Sequence, residues 1–148
     1  MNKKQIAIEV LPRALWIIEG VILFFTSRKP ILIDDTFIII LGIFVVLFGI
    51  VLLSTSFVYL AKPMFTKTLM TDGPYNYVRH PMYVSLYMVL VGLGMLFFSG
   101  VWFVVLLVFI PIWYLDCKIE ERQMIFLCGY KYISYKRRVG MFFPRIVK

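Results

Sequence analysis

Cysteine is scarce, acidic residues are few, and no polar stretch is long enough to serve as a linker. The two cysteines, Cys117 and Cys128, have no CxxC partner and no histidine at metal-ligand spacing. No disulfide and no metal site are expected, and the pair reads as two ordinary apolar thiols. Repeats and low-complexity tracts are absent too, so a single domain over residues 1–148 is expected. A strand-borne GxGxxG is also missing, which excludes a soluble Rossmann-type nucleotide site. Gly92-Leu93-Gly94 lies inside an apolar run, where close helix packing explains it better than a cofactor does.

The shortage of acid leaves sixteen Lys and Arg against eight Asp and Glu, a net charge of +8. Nucleic acid is nevertheless not an expected partner. The basic residues stand at the ends of apolar runs, where they suit anionic lipid headgroups and set topology.

What the chain has in excess is hydrophobicity: 61% apolar residues and a mean hydropathy of +0.89, where a soluble domain is about half apolar. The excess is gathered in long runs, as in a membrane protein. A first span is expected over residues 11–27, with Glu19 inside it facing the bundle or a polar cavity. Its basic start resembles a signal peptide, but no A-x-A-like cleavage site follows Phe25. A second span covers residues 36–61, closed by Lys62-Pro63. After a polar stretch with an Asp72-Gly73-Pro74 turn, residues 82–115 are apolar apart from Ser99-Gly100, which predicts a hairpin of two short spans. Pro81 opens the first and Pro111 bends the second. Beyond Asp116 the chain becomes amphipathic and basic. The expected fold is therefore an all-α integral membrane bundle of about four transmembrane helices, with a C-terminal amphipathic segment. Fourteen Lys and Arg fall on the side of the termini and two on the other, which places both termini and the C-terminal segment in the cytoplasm.

Three segments on that side carry more than anchoring requires. Gly73-Pro74-Tyr75-Asn76-Tyr77-Val78-Arg79-His80-Pro81-Met82-Tyr83 delivers Arg79 and His80 to a helix start, where free N–H groups and the positive dipole end suit an anion such as a carboxylate. Glu120-Glu121 follows the last apolar run. Gly129 to Val139, rich in Tyr and Lys/Arg, precedes Phe142-Phe143-Pro144. Each has a bland explanation alone: contact with lipid phosphate, solvated charges, and a helix lying in the headgroups.

Together, in this order, they resemble the isoprenylcysteine carboxyl methyltransferase family, whose wider kin are membrane phospholipid methyltransferases. The resemblance covers residues 67–144. It implies a small helical bundle with a helical hairpin and a cytoplasmic pocket for S-adenosylmethionine. His80, Pro81 and Tyr83 match the RHPxY positions at the cofactor; Leu69 and Thr71 match the strip leading into it; Glu120 and Glu121 match its acidic pair; Tyr77 is a further cofactor-binding candidate. Arg138, in Tyr-x-x-Arg-Val, matches an arginine assigned to the substrate carboxylate, so Arg138 and Glu121 are the residues the resemblance puts at the reaction. Ser85 stands where the family often has Gly, and Gly140 where it has Pro.

The function implied is S-adenosylmethionine-dependent methyl transfer to a lipophilic acceptor entering from the bilayer. A prenylated cysteine carboxylate comes first, a phospholipid amine or a thiol next. Displacement at a sulfonium by an anionic nucleophile needs alignment and exclusion of water more than a base. Tyr83, Tyr87 and Trp113 are candidates to face the positive sulfur. The rivals are an NADPH-dependent protein similar to sterol reductases, which would use Lys136, Arg137 and Arg138 on a 2′-phosphate, and a non-enzymatic membrane protein.

Overall fold

In an apolar chain every backbone N–H and C=O must be satisfied internally, and helices do this segment by segment. The computed structural model describes residues 3–26, 36–66, 69–97 and 99–145. They form α1 (Lys3–Thr26), α2 (Thr36–Thr66), a single 3-10 turn (Gly73–Asn76), α3 (Pro81–Leu96), α4 (Gly100–Cys128) and α5 (Tyr130–Arg138). Among the described residues the only extended pairing is an isolated parallel bridge between Val78 and Gly140. The end of the first span at Ser27, the Arg28-Lys29 and Asp34-Asp35 stretch, Lys67 and Lys148 lie outside the described residues.

Two helices, residues 36–61 of α2 and the whole of α4, are long and apolar enough to cross a membrane; the apolar parts of α1 (Ala14–Phe25) and α3 are shorter. The expected hairpin of two short spans is therefore unequal, with 16 residues in α3 and 29 in α4. Helix α4 does not stop near Asp116 but runs on to Cys128, because nothing between them breaks a helix. Gly129, at φ +56°, ends it and starts α5 at a new angle. Likewise α2 passes through Lys62-Pro63 to Thr66 instead of closing there. One proline removes one i→i−4 bond, a loss the final turn of a long helix can carry.

Helix α2 packs along α3, and α1 along α4. The first contact depends on missing side chains. A Cβ at Gly49 would stand 3.0 Å from the Val89 nitrogen, and one at Gly92 2.9 Å from the Gly42 oxygen and the Val46 nitrogen. Gly92 thus serves close packing, as its place in the apolar run predicts, while Gly94 makes room for the Trp102 ring. At the turn, Ser99 caps α4 by accepting the Trp102 N–H at 3.3 Å, and the Trp102 indole donates to the Leu90 carbonyl at 2.7 Å. Leu23, Trp102 and Leu106 form the buried core where α1 meets the α3–α4 hairpin. The remaining faces of α2 and α4 expose Phe37, Phe44, Leu47, Val51, Val104 and Leu107.

Candidate functional site at the α3–α4–α5 junction

The site begins with a loop that only certain residues can form. Gly73 adopts φ +58°, and a Cβ there would strike the Tyr59 ring, so glycine is required twice over. Pro74 opens the 3-10 turn, whose carbonyl accepts from Tyr77 and Val78. The chain then runs beside the C-terminal segment: Arg79 N–H donates to the Gly140 carbonyl at 2.8 Å and His80 N–H to that of Met141 at 3.2 Å. Tyr135 adds a hydroxyl bond to the Tyr75 carbonyl at 2.6 Å. Gly140 tolerates no Cβ, which would run into the Phe143 carbonyl. By these contacts the loop and α5 become one unit.

Arg79 is its strut. The guanidinium gives Nε (2.8 Å) and Nη2 (2.7 Å) to Glu121 Oε1, and Nη1 donates to the carbonyls of Lys136 and Val139. It therefore caps the C-terminus of α5, where a cation complements the dipole, while holding a buried carboxylate. Lys136 takes the other oxygen of Glu121 at 2.6 Å. The anion expected beside Arg79 and His80 is thus Glu121 of the chain itself.

Neighbouring residues on a helix point about 100° apart, and this separates the two glutamates. Glu121 is 1% exposed and fully engaged; Glu120 is 37% exposed and faces a cavity. Tyr83 donates its hydroxyl to Glu120 at 2.7 Å, with Asp116 3.2 Å away. His80 lies between the carboxylates, Nδ1 3.6 Å from Glu120 and Nε2 3.7 Å from Glu121, and Nε2 has no hydrogen-bond partner among the described residues. Burial opposes its protonation, but the two carboxylates outweigh that and hold its pKa above the usual histidine value. Tyr75 is pushed up to about 12 by burial and by the charge of Glu120.

The cavity measures about 430 Å³, within the usual range of small-molecule sites, about 300–1,000 Å³. Polar groups enter it from Arg79, His80, Tyr83 and Glu120; Leu53, Leu60 and Leu86 extend it as an apolar wall between α2 and α3; Tyr132 and Tyr135 cover it from α5. Of the candidate residues, Leu69, His80, Pro81, Tyr83 and Glu120 line it. Thr71 and Arg138 line shallow clefts that share Tyr135 with the cavity but lie outside it, and Arg138 is exposed. Tyr77 is 66% exposed and lines none of these. Glu121 stands behind the cavity, holding its frame. Unforeseen were Trp16 of α1, which lines the cavity, and the roles of Arg79 and Lys136 on Glu121. Trp16 stands three residues before Glu19, a spacing that puts both on one helix face and was a usable signal.

A sequence model of a family described as phospholipid methyltransferase matches residues 35–127, more than half the chain. The chain belongs to the phospholipid methyltransferase family. The matched part runs from the start of α2 to the last turn of α4 and includes both the His80 loop and the glutamate pair; α1 and α5 fall outside it. A methanethiol S-methyltransferase of Crocosphaera subtropica is 34% identical over 83 residues, 53% of this chain and 30% of that protein. The chain thus spans under a third of that relative's length. The family match reaches the wider kin of the sequence resemblance, and the relative is named for methanethiol; neither names isoprenylcysteine.

Proposed function

We propose that this chain is a multi-pass integral membrane methyltransferase, with both termini and the active site cytoplasmic, that uses S-adenosylmethionine and methylates a lipophilic acceptor arriving from the bilayer. One observation carries the reading: in a chain of this family, Trp16, Tyr83, His80 and Glu120 converge on one cavity of small-molecule size. The residues fit the donor. Glu120 is accessible and can accept from ribose hydroxyls or attract an ammonium group, and His80 lines the same cavity with its Nδ1 3.6 Å from Glu120. The faces of Trp16 and Tyr83 favour a positive charge. S-adenosylmethionine, when bound, supplies a methyl group on a cationic sulfur. The protein's part is alignment and exclusion of water: Tyr132 and Tyr135 close the cavity towards α5, and Leu53, Leu60 and Leu86 offer an apolar chain a path between α2 and α3.

The isoprenylcysteine reading gives the acceptor a carboxylate held by Arg138. That requires the exposed guanidinium to swing inward past Tyr135. A thiol or a phospholipid amine is the second reading, favoured because Arg79, the one guanidinium lining the cavity among the described residues, is already committed to Glu121. A 2′-phosphate site for NADPH would have to be built from the exposed Arg137 and Arg138, since Lys136 is committed to Glu121 as well.

The test is binding of radiolabelled S-adenosylmethionine against NADPH to the purified chain in detergent, then methyl transfer to a prenylcysteine analogue, a long-chain thiol and phosphatidylethanolamine. Donor binding without NADPH binding is expected. NADPH binding alone would overturn the methyltransferase reading. A carboxylate acceptor predicts that Arg138→Lys loses most turnover at unchanged donor affinity, because an ammonium cannot copy the two parallel hydrogen bonds of a guanidinium; full turnover in that variant would leave the thiol or amine.

A further inference from the structure

The family match leaves α1 out, yet α1 places Trp16 on the cavity wall. One turn further along α1, Glu19 is 2% exposed. Its Oε2 accepts the Trp113 indole N–H at 2.7 Å, and its Oε1 has no hydrogen-bond partner among the described residues. A carboxyl group so placed among apolar helices is expensive, and such residues are retained for a task. Trp113 stacks on Trp16 with centroids 4.8 Å apart and planes 16° from parallel. Tyr83 meets Trp16 edge-on at 5.2 Å, and Tyr83 is the residue that donates to Glu120. Among the described residues the Trp16 N–H has no partner, and ring packing orients that indole. The ring it packs flat against is the one Glu19 pins.

We propose that Glu19 is a positioning residue of the site: through its hydrogen bond to Trp113 it fixes the stacked Trp16 ring that forms the cavity wall. Helix α1 is then a working part of the pocket as well as a membrane segment. Glu19 does not line the cavity and acts only through the two indoles. The functional half of the inference rests on the methyl-donor reading, because an aromatic wall matters most for a cationic ligand.

The experiment compares Glu19→Gln, Glu19→Leu and Trp113→Phe in the full chain in detergent. Two quantities are read: the near-ultraviolet circular dichroism of the indole pair, and affinity for S-adenosylmethionine. The glutamine oxygen accepts the same N–H, so Glu19→Gln should keep the wild-type spectrum and affinity. Leucine cannot accept, and Glu19→Leu should lose the indole signal and about fivefold in affinity, the worth of one hydrogen bond. Trp113→Phe keeps a ring but has no N–H to pin, and should lose affinity to the same extent. The proposal is overturned if Glu19→Gln is as impaired as Glu19→Leu, or if Glu19→Leu or Trp113→Phe binds the donor as the wild type does. Should the wild type itself not bind S-adenosylmethionine while the spectra separate Gln from Leu as expected, the donor reading falls and the positioning role stands.

Discussion

Two adjacent carboxylates have unlike environments, and this gives predictions at the scale of the residue. Glu120 is open to the cavity, so Glu120→Gln should weaken donor binding and leave folding intact. Glu121 balances Arg79 and Lys136 while buried, so Glu121→Gln should destabilise the protein by about 3 kcal/mol, the usual cost of stranding a buried charge. Thermal unfolding in detergent beside donor titration separates the two, and the reverse pattern would exchange the roles assigned here. His80 adds a pH dependence. Its folded pKa lies above the ordinary 6.5, so the imidazolium contributes stability that is complete below that pH and lost as pH rises through the raised value. Facing it are Glu120 and Glu121 from α4, with Arg79 and Tyr83 beside it in the chain. The melting temperature should therefore fall on going from mildly acidic to alkaline buffer, and His80→Gln should flatten that limb. An identical slope in the variant would assign the dependence to another group.

Elements meet here at glycines, and the reasons differ from one glycine to another. Gly129 turns α4 into α5 at φ +56° and ψ −130°, a backbone region nearly reserved for glycine, with open space where a Cβ would go, so Gly129→Ala costs only backbone strain, about 1–3 kcal/mol. Gly92 has an ordinary helical backbone and no space. Alanine there must push α2 from α3, an overpacking cost of about 1–3 kcal/mol. Melting curves of both variants, together with Gly20→Ala, whose Cβ would meet nothing, provide the comparison. Gly20→Ala should be neutral or better. A Gly92→Ala protein as stable as the wild type would show that the α2–α3 contact is looser than these distances require.

For the whole molecule the charge distribution and the two long apolar helices bear on one question, the path through the membrane. Four helices crossing in turn would return the chain to its starting side. With cysteines introduced one at a time, Ser99 should be labelled by an impermeant reagent from outside, and Lys62 and Lys148 should be protected. Labelling of Lys148 from outside would invert the topology and with it the compartment of the proposed site. Glu19 links this scale to the first, because a site that draws its wall from α1 cannot be assembled from the family-matched segment alone.

Much of this was legible in the chain. Long apolar runs favour helices, since a helix satisfies the backbone within one continuous segment, and the class of fold followed. Gly92 within such a run announced a close contact, and the His80 loop and the glutamate pair announced by their order that they belong to one site. What periodicity could not reach was juxtaposition. Which glutamate faces the ligand depends on the rotation of α4 against the loop; that Arg79 would cap α5 while holding Glu121 depends on where α5 is folded back after Gly129. Arg138, one residue short of buried Val139 and three beyond buried Tyr135, turns away from the cavity by the same local geometry. Trp16 reaches the cavity because α1 packs on α4 across some hundred residues of sequence. Local pattern sets which segments are helical and which faces are apolar; the meeting of distant side chains is set by the packing of those helices, and that is where this site is made.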